Sequence, residues 1–408
     1  MAGPATDRAL TTRQHEGAAA TVHSTLPEAT TAYSAFEGHS IFSPTQSPAW
    51  IRSWLAEVAP DFFVATLSLG GVPSFAVALE IASKGPFRVA RYMGDRHANG
   101  NFSPLALSSP ELRPADLALL IEAIGAARPD IDLLSLERAA DNLQGRPNPL
   151  MTLPFLPSPN PSLAVDLSGG FDALLGRTKA TSKRKRNRQQ ARRLEAAGGY
   201  RFVKAETPDE VGRFLGAFFE MKQQRFRKMG VTDVFAAPQV RRFFHRLFAE
   251  ALVEKTPAFV LDGLEVAGEL RAVTGSSRCG DRVICEFGAI REDKLSRFSP
   301  GDFLFFENIR RACEEGLIVY DFSVGDEPYK RLWSDMEVTQ YDVLVPMNAR
   351  GRMLTLALRG GNRIKALIKA NEPAWRLAKA LRRRRGNQEE QPAAQAAERS
   401  GTGENGGS

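Results

Sequence analysis

The sequence predicts two α/β units in tandem. Three observations carry this. The chain has 408 residues, more than one ordinary core holds and enough for two domains with tails. Its apolar content of 43% and charged content of 25% are those of a globular protein. Helix-like and strand-like stretches also recur twice in one coarse order: helix, meander of strands, helix, strand. No residue-by-residue repeat accompanies them, so this order is a hint of duplication only.

Residues 1–35 are rich in Ala, Thr and Gly without periodicity, and read as a disordered segment. They lack the continuous apolar run of a signal peptide. Residues 36–158 form the first unit. Pro48–Val58 reads as a short helix with Trp50 and Trp54 on one face. Phe62–Leu69, Ser74–Ile81 and Phe87–Tyr92 read as strands, with Gly70-Gly71 as a hairpin signal. Asp116–Ala127 has helical spacing and Ile131–Glu137 is strand-like. Six prolines between Pro147 and Pro161 mark an irregular connection.

Residues 159–347 form the second unit. Leu163–Leu167 is a strand, and a helix begins near Phe171. A basic helix then runs to Ala196 and stops at Gly198-Gly199. Thr207-Pro208-Asp209-Glu210 is a strong helix start, with threonine at the N-cap, proline behind it and acids in the first turn. Val240–Lys255 is amphipathic. Ala258–Leu261, Glu265–Gly275 and Asp281–Ile290 form a strand series, Pro300–Gly316 a helix closing on glycine, and Leu317–Phe322 a strand. Tyr341–Val345 is expected as the last strand of this unit. Residues 348–385 read as basic amphipathic helices broken at Pro373, with Trp375 among the cations and Arg382–Arg385 at the end. Residues 386–408 read as a disordered tail.

Composition excludes several classes. No run of eighteen apolar residues exists, so no membrane span is expected, and a cytoplasmic protein is the natural reading. Cys279, Cys285 and Cys313 are odd in number and widely spaced, which argues against a disulfide framework and a zinc site. The five histidines make no ligand pair, and no metal is expected. Of these, His245 reads as an ordinary helix residue and His97 as part of a polar loop, either surface-exposed or lining a cleft between the units.

The net charge of +7 is concentrated in two places. One is Arg177–Arg193, where nine cations occur without an acid; the other is residues 363–385. Like charges on one helix repel, so the first favours a polyanion: the phosphates of a nucleotide, a lipid- or sugar-phosphate, a membrane surface or tRNA. It lacks the aromatics on which bases stack, and DNA is not an expected partner. Residues 363–385 either lie on an anionic bilayer at the inner face of the membrane or pack on the body of the protein.

Two stretches carry chemistry. Arg297-Phe298-Ser299-Pro300-Gly301-Asp302 opens a helix whose first-turn amides are left uncovered by small residues, a ready anion site or simply an ordinary helix start. It has neither the lysine of a P-loop nor a G-x-G-x-x-G run. Asp321-Phe322-Ser323-Val324-Gly325-Asp326-Glu327-Pro328-Tyr329-Lys330 joins a strand end to a turn, where ligand crevices form. Tyr329 suits protonation of a departing thiolate, and Lys330 suits pairing with phosphate or an acyl carbonyl; the plain alternative is a solvated turn. Glu286 sits inside the apolar run Val283-Ile284-Cys285-Glu286-Phe287. It is either a general base whose pKa burial raises, or a residue that alternation turns to solvent. Asp321 is the second candidate base, and carboxylates at strand ends also cap turns.

Ser182-Lys183-x-Lys185-Arg186-Asn187 with Arg192-Arg193-Leu194-Glu195, then Phe298–Gly301, then Asp321-Phe322 with Gly325-Asp326-Glu327 and Tyr329-Lys330, resembles the BioF2-like, CelD-type acetyltransferases of the GNAT superfamily. These are similar to the FemAB transferases in pairing two GNAT folds. The resemblance covers roughly residues 38–346 and is firmest over 165–335. It implies tandem GNAT-like domains, each a mixed, mostly antiparallel sheet flanked by helices. It implies acyl-CoA (acetyl-CoA) as co-substrate in the splay between the strands Asp281–Ile290 and Leu317–Phe322. Phe298, Ser299, Pro300, Gly301, Asp302 and Gly325 would hold it, and Glu286, Tyr329, Lys330 and Asp321 would do chemistry. An amine or hydroxyl of an envelope, exopolysaccharide or lipid precursor would attack the thioester directly. The sequence lacks the Arg/Gln-x-x-Gly-x-Gly/Ala pyrophosphate loop of many GNAT proteins. An acyl carrier protein or an aminoacyl-tRNA therefore stays open as donor, as does an inactive membrane-associated scaffold. The first unit lacks both motifs, and is expected to shape the acceptor side without binding a donor.

Overall fold

The computed structural model describes residues 10–15, 17–177 and 180–370. In the first half the elements are β1 (Thr11–His15), β2 (Ala18–His23), α1 (Leu26–Ser34), α2 (Pro48–Val58), β3 (Phe62–Leu69), β4 (Val72–Lys84), β5 (Phe87–Tyr92), α3 (Pro114–Ala127), β6 (Leu133–Ala139) and β7 (Phe155–Pro157). The second half holds β8 (Ser162–Asp166), α4 (Gly170–Arg177), α5 (Ala180–Ala196), β9 (Tyr200–Lys204), α6 (Pro208–Met229), α7 (Pro238–Ala251), β10 (Phe259–Val266), β11 (Glu269–Cys279), β12 (Arg282–Ile290), α8 (Pro300–Glu314), β13 (Val319–Val324), α9 (Pro328–Arg331) and β14 (Met336–Val338). β15 (Tyr341–Pro346) and α10 (Ala349–Ala370) follow.

Both sheets are mixed and mostly antiparallel. The first runs β1-β2-β3-β4-β5-β6-β15-β7, and the second β9-β10-β11-β12-β13-β8-β14. Each has one parallel junction between long neighbouring strands. In the first sheet β5 meets β6 only at Val89↔Leu133 and Ala90↔Leu134. In the second β12 meets β13 only at Arg282↔Val319, Val283↔Tyr320 and Ile284↔Asp321. Beyond these pairs the strands diverge and each sheet is parted by a wedge.

Two expectations are corrected. Residues 1–35 are not one disordered segment, because β1, β2 and α1 lie within them. Ala18, Ala20 and Val22 of β2 are buried while their neighbours are not. This is strand alternation written in small residues, which composition disguises. The second correction concerns the boundary near residue 347. β15 pairs with β6 and β7 in the first sheet, so the second unit ends with β14. The basic segment 348–385 is helical from Ala349 to Ala370. The break at Pro373, Trp375, Arg382–Arg385 and the tail 386–408 lie outside the described residues. No described helix is long and apolar enough to cross a membrane.

One aromatic core spans both halves. Trp50 and Trp54 of α2 each meet the Phe243 ring of α7 at 4.9 Å between centroids. Phe218, Phe235, Phe244 and Phe248 continue the cluster to Phe287 on β12. Each such ring contributes about 1.5–3 kcal/mol by leaving water. The polar Trp54 indole N–H is satisfied by Glu80 at 2.7 Å. The halves are thus fixed to one another where β12 carries Glu286.

Candidate active site

The wedge between β12 and β13 is open on the α8 side. Ser299 adopts a left-handed backbone (φ 55°) and Pro300 begins α8, so the chain turns sharply and the helix N-terminus faces β12. Gly301 lies against Ile290; a Cβ there would sit 2.8 Å from Ile290 Cγ2. Only glycine permits this approach of helix to strand. The amides of Gly301 and Asp302 have no carbonyl one turn behind them within α8, and both residues line the crevice. A cavity of about 220 Å³ results, lined by Gly288, Ala289, Ile290, Ser299, Gly301, Asp302, Phe305, Tyr329, Arg186 and Arg225.

Tyr329 stacks on Phe305 at 5.5 Å with ring planes 9° apart, and stands edge-on to Phe322. Burial pushes its phenol pKa up, so the hydroxyl stays protonated at neutral pH and can donate. Asp302 contributes through its amide, because its carboxylate is occupied. It pairs with Arg186 at 3.2 Å and accepts from Trp333 Nε1 at 3.2 Å and Gln190 Nε2 at 3.3 Å. Those bonds dock the basic helix α5 beside the cavity mouth.

Other predicted residues are placed elsewhere. Phe298 packs beneath Arg193 and Arg297 and does not line the cavity. Pro300 is buried structure. Gly325 (φ 124°) forms the turn after β13 and also lies off the cavity wall. Lys330 is buried; its ammonium donates to the Val324 carbonyl at 2.7 Å and pairs with Glu327 at 3.0 Å. It fastens the end of β13 and does not line that cavity. Asp321 accepts from Ser162 Oγ at 2.8 Å and the Ser323 amide at 2.7 Å, and pairs with Arg282 at 3.1 Å. A carboxylate so fully engaged holds β8, β12 and β13 together. It faces a separate cavity of about 700 Å³ between the halves.

Glu286 occupies a special position. Gly275 pairs with Phe287 and Ser276 with Cys285, so Glu286 is the extra residue of a β-bulge. Gly275 has no side chain because the Phe287 ring lies over it. The bulge shifts the phase of the strand. Val283 and Cys285 pack under α8, whereas Phe287 and Ala289 pack under α6 and α7. Glu286 turns to the first half. Ser277 Oγ donates to its carboxylate at 2.6 Å, and Asn99 Nδ2 donates to its carbonyl at 2.8 Å. Burial pushes the carboxyl pKa up to about 7, against the lowering pull of Ser277, Asn99 and Arg138. That is the range of a working general base.

Sequence reasoning missed several neighbours. The loop carrying His97 is not a plain surface loop: His97 is buried against Phe235 and Phe244 of the second half, and burial lowers its pKa to about 4. Lys222 of α6 lies near the rings of Phe218 and Phe226, its pKa pushed down to about 8 by burial and then by Arg225. Asn99, Lys222 and Arg225 carry no local sequence signal, because only the docking of the two halves and the packing of α6 bring them here. Cys279 and Cys285 are buried, with thiol pKa values raised to about 11 and about 12, as inert cysteines are. Among the described residues no group of side chains suits a metal ion.

Comparison with known proteins fits this geometry. Residues 181–331 match the family described as acetyltransferase (GNAT) domain. Over these residues the chain is similar to GNAT acetyltransferase domains. The match takes in α8, the open wedge, Glu286 and Tyr329. No curated protein matches the chain. Among solved structures, FemX aligns with 82% of this chain and 98% of its own, at TM-score 0.51 and 12% identity. A conserved protein of unknown function from Bacteroides thetaiotaomicron aligns with 79% of this chain and 97% of its own, at TM-score 0.51 and 14% identity. L-PGS from Bacillus licheniformis aligns with 86% and 98% at TM-score 0.49 and 14% identity. FemX and the Bacteroides protein match across both halves, so the pairing of a GNAT domain with a second α/β half is a fold they share with this chain.

Proposed function

We propose that the protein is an acyl-CoA-dependent N- or O-acyltransferase of the BioF2-like, CelD type, acting on an envelope, exopolysaccharide or lipid precursor. One observation carries this reading: the open wedge of β12 and β13 has a donor crevice on one face and Glu286 on the other. Acyl-CoA would place its phosphates at the Gly301 and Asp302 amides beside Arg186 and Arg225, with its thioester in the wedge. The acceptor would enter from the first half. Its amine or hydroxyl attacks the thioester carbonyl carbon. The new C–N or C–O bond forms, the C–S bond breaks, and the acceptor proton passes to Glu286. Tyr329 protonates the departing thiolate, giving acylated acceptor and free CoA; solvent then resets both groups. No covalent enzyme intermediate is required.

A second donor is favoured by a specific feature: the basic helix α5 docks at the cavity mouth, which suits an aminoacyl-tRNA. Native mass spectrometry of the full chain against a panel of acyl-CoAs decides between them. The proposal expects one-to-one binding of at least one acyl-CoA. An empty protein across the panel, with tRNA binding that falls steeply as salt rises, would replace it.

A further inference from the structure

A cavity of about 300 Å³ lies between the halves, on the first half's sheet and against Val324, the last residue of β13. It contains Arg138. The pairing of β6 with β15 slips between Tyr341 and Val343, so β6 carries an extra residue at Glu137–Arg138. Arg138 has φ 56°, a left-handed backbone that a non-glycine residue keeps only where its surroundings impose it. Its amide donates to Asp342 Oδ1 at 3.0 Å. Its guanidinium donates to the Asp95 carbonyl at 2.5 Å. Among the described residues it makes no ion pair.

A single carbonyl satisfies one of the five N–H groups of an arginine. Arg138 is half-buried and lines the cavity, so its remaining donors are available to a ligand there. The acids nearby do not meet the need. Asp342 is held by the Arg138 amide and Ser158, and Asp95 pairs with Arg91 at 2.9 Å. Glu137 also lines the cavity but is exposed and, among the described residues, makes no ion pair with Arg138. Lys84 and Arg96 add two further cations, so the wall carries three cations against the carboxylates of Glu137 and Asp342; among the described residues the one ion pair of Arg96 is with Asp95, at 3.9 Å. The loop that accepts from Arg138 also delivers Asn99 to Glu286, so the cavity and the bulge are joined through one segment.

We propose that this cavity binds the acceptor by an anionic group, a carboxylate or a phosphate monoester, gripped by the Arg138 fork with Lys84 and Arg96 at the rim. The amine or hydroxyl of the acceptor then reaches Glu286. This rests on the acyltransferase reading for the second step, but the anion site stands on its own residues.

The test titrates the full chain, with CoA saturating the donor side, with phosphoethanolamine, β-alanine and ethanolamine, each followed by NMR shift changes. At least one of the two acids is expected to bind roughly tenfold or more tighter than ethanolamine, as a charge-assisted fork requires. Which acid wins separates phosphate from carboxylate. R138Q is expected to remove that advantage while leaving CoA affinity unchanged. Should R138Q not fold, the surface double variant Lys84→Ala, Arg96→Ala is expected to weaken the acid about threefold or more. Equal binding of all three amines, or acid binding indifferent to these substitutions, overturns the proposal. Should CoA fail to bind, the donor reading falls; the acids are then titrated alone and the same criteria apply.

Discussion

The two halves solve the same geometric problem in opposite ways. In each, a parallel strand pair opens into a wedge. In the first half the wedge is plugged. Asn101 is inserted beside Ala139; its amide N–H donates to the Arg138 carbonyl at 2.9 Å, and its carbonyl accepts from the Ala140 amide at 2.9 Å. Its side chain donates to the Glu137 carbonyl at 2.9 Å and accepts from Gln46 at 2.8 Å. Asn101, Phe102 and Ser103 are fully buried. In the second half no backbone segment among the described residues is inserted, although Asn99 Nδ2 donates to the Glu286 carbonyl, and the first turn of α8 lines a cavity beside the gap. The comparison teaches that the chain itself closes one wedge and leaves a cavity beside the other, so on the proposed function only the second half would hold a donor.

Three substitutions break or sharpen this contrast. The largest effect is expected at Glu286. Gln in its place should lower kcat by about 10²–10⁴-fold with CoA affinity unchanged. The wild-type rate should rise with pH through about 7, because the base must be ionised, and E286Q should lose that limb. A limb centred near 8 that survives in E286Q would instead make Lys222 the base. The raised carboxyl pKa also has a stability sign. The native state holds the proton more tightly than the unfolded chain, so stability is lost as pH rises from about 4.5 through about 7. E286Q should therefore raise Tm at pH 8 and leave it unchanged at pH 4, measured by calorimetry.

The next effect concerns the crevice itself. Gly301→Val drives a side chain into Ile290 and pushes α8 from β12. CoA affinity, read by calorimetric titration, should fall roughly tenfold or more, while the aromatic core and near-ultraviolet dichroism persist. Undiminished binding would place the nucleotide elsewhere. The smallest effect on function is expected from Asn101→Ala in the plug. It leaves buried carbonyl and amide groups unpaired and should cost about 2–4 kcal/mol in denaturant unfolding. Donor stoichiometry should stay at one. A second bound CoA would show that the plug, and not the missing helix start, is what closes the first wedge.

Much of the fold could be read from the chain. Thr207 is the predicted N-cap, and with Glu210 it makes a capping box, each accepting from the other's backbone amide, at 3.3 and 3.1 Å. Pro300 starts α8 as its fixed φ suggests, and the two tryptophans of α2 do share a buried face. Local rules suffice where the cause is local. They fail where a partner is chosen at a distance. Nothing in Tyr341–Pro346 says that it pairs with Leu133–Ala139, and nothing in the alanines of β2 says that α3 will cover them. The site divides the same way. Ser299, Gly301 and Tyr329 were legible because a helix start and a strand end announce themselves. Glu286 stood out as a charge in an apolar run, but its direction did not, since counting by twos assumes a strand without a bulge. Lys330 looked like a phosphate ligand because a lysine beside a turn usually reaches water, and here it turns inward to cap a strand.

The return of β15 to the first sheet makes the second unit an insertion within the first. A chain emerging from the ribosome can complete the second sheet before it completes the first, which waits for Tyr341–Pro346. A product truncated before Tyr341 would hold every strand of the second sheet and lack one strand of the first.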